Sequence, residues 1–437
     1  MRPELLPRPL LGPPPSPRVP RPERWTLPNG LRVLAAPRAG LPQVVLRLVI
    51  PAGSAADPAH FPGTASLVGS LLTEGTVHRD ADALNMQIDR LGACLGVHVG
   101  HDLAAVEMVL LADTLGPGVE LLADATLHPA FPAPEVERVR AETLDGIQAR
   151  ADEPANLADD RTAEELFGPR HPYGRPVWGS AEAVSAVPAQ VLREFHGAHF
   201  RPEGSFLVAS GEFGLDELAR IAEHVFAGWH GTAPQPGVPV PDSQPRAAGQ
   251  RVSLAWDDAT QAEIRVAGVG LARRSPDWIP AAVANYILGG STITSRLGAN
   301  LREDKGWTYG VSSSFADGLQ PAGWGVETAV DIEVADEALG EIHRELLKVA
   351  QEPVRPEELR RAKDALILSL PRAFETPGRV ASRLATLEAH ALPYDHWERL
   401  PAQIEAVSAD DVQRIAAEHF GPERLVSVVV GSTGEGG

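Results

Sequence analysis

An α+β architecture is predicted for this chain: two homologous domains, each a mostly antiparallel sheet packed by helices, joined by a Pro-rich linker. Three observations predict it. The 437 residues exceed what one hydrophobic core ordinarily serves. The segment Gly231 to Pro245 holds five prolines in fifteen residues and has no periodic apolar face, which reads as an extended linker. On either side of it, long amphipathic helices interleave with clustered strands in a similar order, which suits α+β halves better than a regular parallel sheet. The expected division is a Pro-rich arm at 1–23, a first domain at 24–230, a linker at 231–250 and a second domain at 251–437.

Each element has its own signal. Arg24 to Ala35 reads as two strands meeting at the Asn29-Gly30 turn. Gln43 to Ala52 is a third strand, and Gly63 to Thr76 is a helix with Leu67, Val68, Leu71 and Leu72 on one stripe. Alternating strands run from Cys94 through Ala112, followed by helices near Gly118 to Thr126 and Pro134 to Ala149. The half closes with the strand Ser205 to Gly211 and the helix Leu215 to Phe226. The second half opens with strands at Arg251 to Trp256 and Ala262 to Val269, then a helix from Ile279 to Leu288 stopped by Gly289-Gly290. A short helix through Leu301 leads to a strand from Trp307 to Phe315. Helices at Asp336 to Gln351 and Pro356 to Leu370 and a last strand at Leu425 to Val430 complete it.

Composition narrows the function classes. With 39 basic against 58 acidic residues the net charge is −19, which argues against a nucleic-acid partner. Cys94 is the single cysteine, so an internal disulfide, a cysteine zinc site and a redox pair are all excluded. No apolar run reaches the length of a membrane span, and the proline- and arginine-rich start lacks the apolar core of a secretory signal. The expected location is cytoplasmic, with no membrane partner.

The helix at Gly63 to Thr76 carries a second face, Ser66, Gly69 and Ser70, at spacings of three and four. That spacing would bring two imidazoles and a carboxylate to one metal ion. Here it holds only small side chains that cannot bind zinc.

Several segments in order along the chain resemble the pitrilysin-type metallopeptidases, the family of the mitochondrial processing peptidases and the bc1 core proteins. They are Pro28 to Leu34, Gly53-Ser54 with Gly63 to Thr76, His171 to Gly179, Phe200 to Gly211, Leu288 to Gly290, Ser295 to Leu297 and Leu301 to Ser312. The resemblance implies two homologous domains and catalysis in a closed chamber between paired subunits. It places Ser66 and Ser70 where the two zinc-binding histidines of a His-x-x-Glu-His motif belong, and Gly69 where the water-activating glutamate belongs. The remote glutamate ligand falls on Gly146, with Glu142 one helical turn earlier as the nearest substitute. No metal is therefore assigned to this chain, and zinc is expected in a partner subunit.

The family's substrate-binding arginine and tyrosine, seven residues apart, correspond to Arg302 and Tyr309. A guanidinium and a phenol can donate hydrogen bonds to a peptide carbonyl and its developing oxyanion. Spacing alone would instead put Arg302 on a solvated helix and Tyr309 on a strand face with Trp307, Val311 and Phe315. The resemblance reverses that choice.

Other clusters are weaker. His98 and His101, three apart on a strand, would face opposite sides. His60 reads as a loop histidine, Glu74 as a helix-end residue, and Gly289-Gly290-Ser291 as a turn without a phosphate-loop context. The expected function is the non-catalytic subunit of a heterodimeric zinc endopeptidase. It would pair with a homologous His-x-x-Glu-His subunit, act on extended peptides, and have no peptidase activity alone. The alternative is a structural or peptide-binding homologue with no role in proteolysis.

Overall fold

The computed structural model describes residues 19–232, 234, 239–241 and 248–431. Most of the expected arm, part of the linker and the last six residues lie outside them. Eleven strands are described: β1 (Glu23–Thr26), β2 (Arg32–Pro37), β3 (Gln43–Ile50), β4 (Cys94–Val99), β5 (Ala104–Leu111), β6 (Phe206–Gly211), β7 (Arg251–Leu254), β8 (Gln261–Val269), β9 (Val311–Phe315), β10 (Gly323–Asp331) and β11 (Val426–Val430). They form two sheets, ordered β1-β2-β6-β3-β5-β4 and β7-β11-β8-β10-β9.

Duplication is visible strand by strand. In the first sheet β2 pairs parallel with β6, and β6–β3, β3–β5 and β5–β4 are antiparallel. In the second, β7 pairs parallel with β11, and β11–β8, β8–β10 and β10–β9 are antiparallel. Removing the hairpin strand β1 leaves one topology used twice. The hairpin itself turns at Asn29-Gly30, where Gly30 takes φ +91° and the Asn29 amide donates to the carbonyls of Phe226 and Trp229.

The helices of the first half are α1 (Thr64–Leu71), α2 (Ala81–Arg90), α3 (Leu115–Leu127), α4 (Ala133–Ala151), α5 (Pro154–Phe167), α6 (Ala181–Ala186), α7 (Ala189–His199) and α8 (Leu215–Val225). Those of the second are α9 (Trp278–Leu288), α10 (Ala335–Gln351), α11 (Pro356–Ser369), α12 (Pro377–Ala389), α13 (His396–Ala406) and α14 (Ala409–His419). Most cover one face of their own sheet and bury the two main cores, around Leu46, Leu67 and Phe226 and around Ile264, Leu301 and Phe420.

Two helices cross over. α5 lays Ala158 and Leu166 on Ala267, Val426, Val428 and Val430 of the second sheet. α12 lays Val380, Ala381 and Leu384 on Leu34, Val45, Phe206 and Val208 of the first. Each sheet is thus covered on its second face by a helix from the other half, which is why every residue of β6 and β11 is buried. Arg265 on β8 fastens one exchange through Asp159 on α5, Nε to Oδ1 at 2.6 Å.

The expected strand from Trp307 to Phe315 begins only at Val311. Gly306 takes φ +66°, and the Thr308 hydroxyl closes a turn on the carbonyl and N–H of Gly310. Residues 306–310 are therefore a loop, and strand periodicity does not extend over Tyr309.

Candidate functional site

α1 is started by a side chain seven residues before its first residue. Asp57 accepts from the backbone N–H groups of Gly63 and Ala65, both at 2.7 Å, and Gly63 enters the helix at φ +98°. Burial raises the Asp57 carboxyl to about 7 despite those bonds. Leu67, Val68 and Leu71 then face the core. Ser66, Gly69 and Ser70 lie together on the wall of a groove of about 650 Å³ between the two halves, beside the edge strand β4.

Hydroxyls and a bare Cα do not make a zinc site, which takes imidazole, carboxylate or thiolate donors. Space is lacking as well. A Cβ at Gly69 would meet Cγ2 of Val99 at 2.5 Å and Cγ1 of Val97 at 3.4 Å, so β4 occupies the room a glutamate would need. Gly146 lies on α4 outside the groove lining, with open space at its Cβ position. Glu142 is held within its own helix by Arg138 at 2.7 Å, and Arg138 also pairs with Glu74. Among the described residues no group of three or more His, Cys, Asp or Glu could hold a metal ion. His98 is exposed on β4, whereas His101 lies in the following turn with Nδ1 3.1 Å from the Ser54 hydroxyl. His60 is an exposed loop residue.

The groove is closed at one end by a buried polar seam. Tyr173 donates to Oδ2 of Asp102 at 2.7 Å; the same oxygen accepts from the Leu319 N–H at 2.9 Å, and the Tyr173 oxygen accepts from the Gln320 N–H at 3.2 Å. Burial, with Asp102 beside it, pushes the Tyr173 phenol far above its usual range. Nearby, Asp317 pairs with His390 at 3.2 Å, which holds the carboxyl low. No local pattern around His98 and His101 reveals that Asp102 joins the halves, because its partners are residues 173 and 319.

Arg302 and Tyr309 lie elsewhere, in the second half. Arg302 is on a wide helical turn of the π type, Gly298–Asp304, and its guanidinium is about a third exposed with only a 3.7 Å approach to Glu303. Its neighbours are more committed: Asn300 donates to Glu341 and Glu345, and Lys305 reaches Glu341 at 3.1 Å. Tyr309 is 93% exposed. The core position that strand spacing gave it is therefore wrong, because the loop at 306–310 carries the ring outward. The glycines at 289–290 are a helix stop made by close packing: a Cβ at Gly289 would meet Ser313 at 2.5 Å and one at Gly290 would meet Tyr286 at 2.6 Å.

Comparison with known proteins adds family evidence. Residues 32–178 match the profile described as insulinase (peptidase family M16), and residues 186–366 match that of the peptidase M16 inactive domain. The chain is 29% identical to an uncharacterized zinc protease of Mycobacterium tuberculosis (strain H37Rv), over 94% of each. It is 25% identical to the probable mitochondrial-processing peptidase subunit beta of Schizosaccharomyces pombe, over 95% of this chain and 92% of that one. In fold it is similar to the peptidase M16 inactive domain from Pseudomonas fluorescens, with a TM-score of 0.88 at 24% identity over 95% of this chain and 99% of that one. No described helix is long and apolar enough to cross a membrane.

Proposed function

We propose that this chain, which belongs to the pitrilysin-type M16 metallopeptidase family, is the non-catalytic subunit of a heterodimeric zinc endopeptidase acting on peptides. Its first domain, 24–230, would form a chamber wall, and its second, 251–437, would present Arg302 and Tyr309 to the site of a homologous His-x-x-Glu-His subunit. Zinc would be bound by that partner, and the peptide would lie extended along a sheet edge there.

The observation that carries the reading is the closed wall at α1. A helix face bearing Ser66, Gly69 and Ser70 offers no donors for a hydrolytic metal, and Val99 against Gly69 leaves no room for a glutamate there. The exposure of Tyr309 supports the second half of it, since a bare phenol on an ordered loop suits a surface that another chain completes. With Arg302 it offers N–H and O–H donors to a peptide carbonyl and to the charge that develops there during attack.

The test is to purify the chain alone and together with a His-x-x-Glu-His homologue from the same genome, then measure bound zinc and peptide cleavage. No zinc and no cleavage alone, with both present in the pair, is the expected result. Stoichiometric zinc in the isolated chain would contradict it. Formation of a stable but proteolytically indifferent complex would favour the structural or peptide-binding alternative.

A further inference from the structure

On the other side of α12 from the groove lies a cavity of about 630 Å³ whose lining contradicts the charge of the protein. The chain carries 58 acidic and 39 basic residues, yet no Asp or Glu among the described residues lines this cavity. Four arginines do: Arg379 and Arg383 from α12, Arg372 from the turn before it, and Arg273 from the segment after β8. Arg273 and Arg383 are half-buried, and Arg372 and Arg379 stand exposed at the rim.

The two inner guanidiniums are not held by carboxylates in direct contact. Neither Arg273 nor Arg383 has an ion pair among the described residues, and the buried Nε of Arg273 has no hydrogen-bond partner. Asp317 acts on Arg273 only at longer range, and its direct partner is His390. Each inner arginine is held instead against an aromatic face, Arg273 at 4.5 Å from the Trp278 ring centre and Arg383 at 5.2 Å from that of Trp397. Stacking of this kind fixes the plane of a guanidinium and leaves its N–H edge available. Arg379 is only loosely satisfied, by the Arg372 carbonyl at 2.7 Å and by Glu375 at 3.6 Å. His396, in the same lining, is pushed down to about 4 by burial and by its arginine neighbours, so it adds no positive charge at neutral pH.

Partly desolvated like charges without direct ion pairs are unfavourable in the free protein. A cluster of planar forks in a cavity of ligand size is the arrangement that recognises oxyanions with several acceptors. We propose that this cavity is a binding site for a small oligophosphate, with Arg273 and Arg383 holding the inner phosphoryl group and Arg372 and Arg379 the outer one. The phosphate class follows from charge and depth: two inner cations without an ion pair among the described residues, with two more at the rim, call for a compact ligand bearing several negative charges.

The probe is tripolyphosphate, titrated into the full chain by calorimetry at fixed ionic strength, with citrate as the carboxylate control. One site is expected, with citrate at least tenfold weaker. Arg273→Gln and Arg383→Gln should each weaken tripolyphosphate tenfold or more, and Arg383→Lys, which keeps charge but loses the fork, should fall between. Both Gln variants should also raise the melting temperature of the anion-free protein, because they relieve repulsion, while abolishing the rise that tripolyphosphate gives the wild type. Arg379→Gln, at an exposed position that cannot endanger folding, should weaken binding severalfold. Absence of binding, binding unmoved by Arg379→Gln and Arg383→Gln, or citrate binding equally well would each overturn the proposal.

Discussion

A Cβ placed on Gly69 would stand 2.5 Å from Cγ2 of Val99, a separation at which one of the two must move. Gly69 lies mid-helix in α1, and Val99 ends the edge strand β4. Two opposing terms meet there. Alanine in a helix interior is favoured over glycine by about 1 kcal/mol, whereas forcing a methyl group into a packed interface costs about 1–3 kcal/mol. Gly69→Ala should therefore destabilise the protein in a urea titration, although it improves helix propensity. In a Val99→Ala background the same substitution should become neutral or stabilising. Equal penalties in both backgrounds would show that β4 does not fill the space.

The same contact governs any attempt to rebuild the metal site. Ser66→His, Gly69→Glu and Ser70→His together restore the donors but not the room, so the triple variant should bind zinc no better than the wild type in equilibrium dialysis. Stoichiometric zinc in that variant would mean that β4 yields readily, and that the loss of donors alone disarmed the helix.

Much of this was legible in sequence, and the part that was not has a physical pattern. The bare face of α1 follows from spacing within one helix, and so did the hairpin at Asn29-Gly30 and the strands β3, β6, β8 and β11. What occupies that face did not, because Val99 reaches Gly69 through the pairing of strands remote from it. β10 alternates buried and half-buried residues, but Gly323 and Gly325 dilute its pattern. The helices α5 and α12 are not among the elements read from the sequence, and no local pattern says that each covers the other half's sheet. Tyr309 was placed on a strand by period two; the positive φ of Gly306 and the Thr308 turn break that register. Arg273 and Arg383 lie far apart in the chain and meet at one cavity only through the tertiary packing of the second half's helices.

The exchanged helices should make the two halves unfold together. Leu384 on α12 is buried against the first sheet, and truncating it to alanine leaves a cavity at that seam. Leu384→Ala should cost about 2–5 kcal/mol and leave a single cooperative transition by calorimetry. Two separated transitions in the wild type would show that the crossover does not couple the halves.

Acid should weaken the fold through a buried histidine. Nε2 of His196 lies 2.8 Å from the Thr126 carbonyl, and burial holds its pKa at about 4, below the ordinary 6.5. Above pH 6.5 both folded and unfolded states keep the ring neutral, so its contribution is fully present. As pH falls from 6.5 towards 4 the unfolded chain takes up the proton and the folded one does not, so stability is lost over that window. His196→Gln, which keeps an N–H donor for Thr126, should flatten the decline of the urea midpoint between pH 6.5 and 4. An unchanged slope would remove His196 as its source.

In the proposed function, the second half of this chain completes an active site whose metal belongs to another subunit. The direct measurement is the peptide-cleavage rate of the pair formed with a His-x-x-Glu-His homologue, carrying Arg302→Ala or Tyr309→Phe in this chain. Loss of one donor to a developing oxyanion typically costs about 100- to 1000-fold in kcat. A fall of that order is expected, with the complex and its zinc content intact. Full activity in both variants, in a complex of unchanged stability and zinc content, would contradict it.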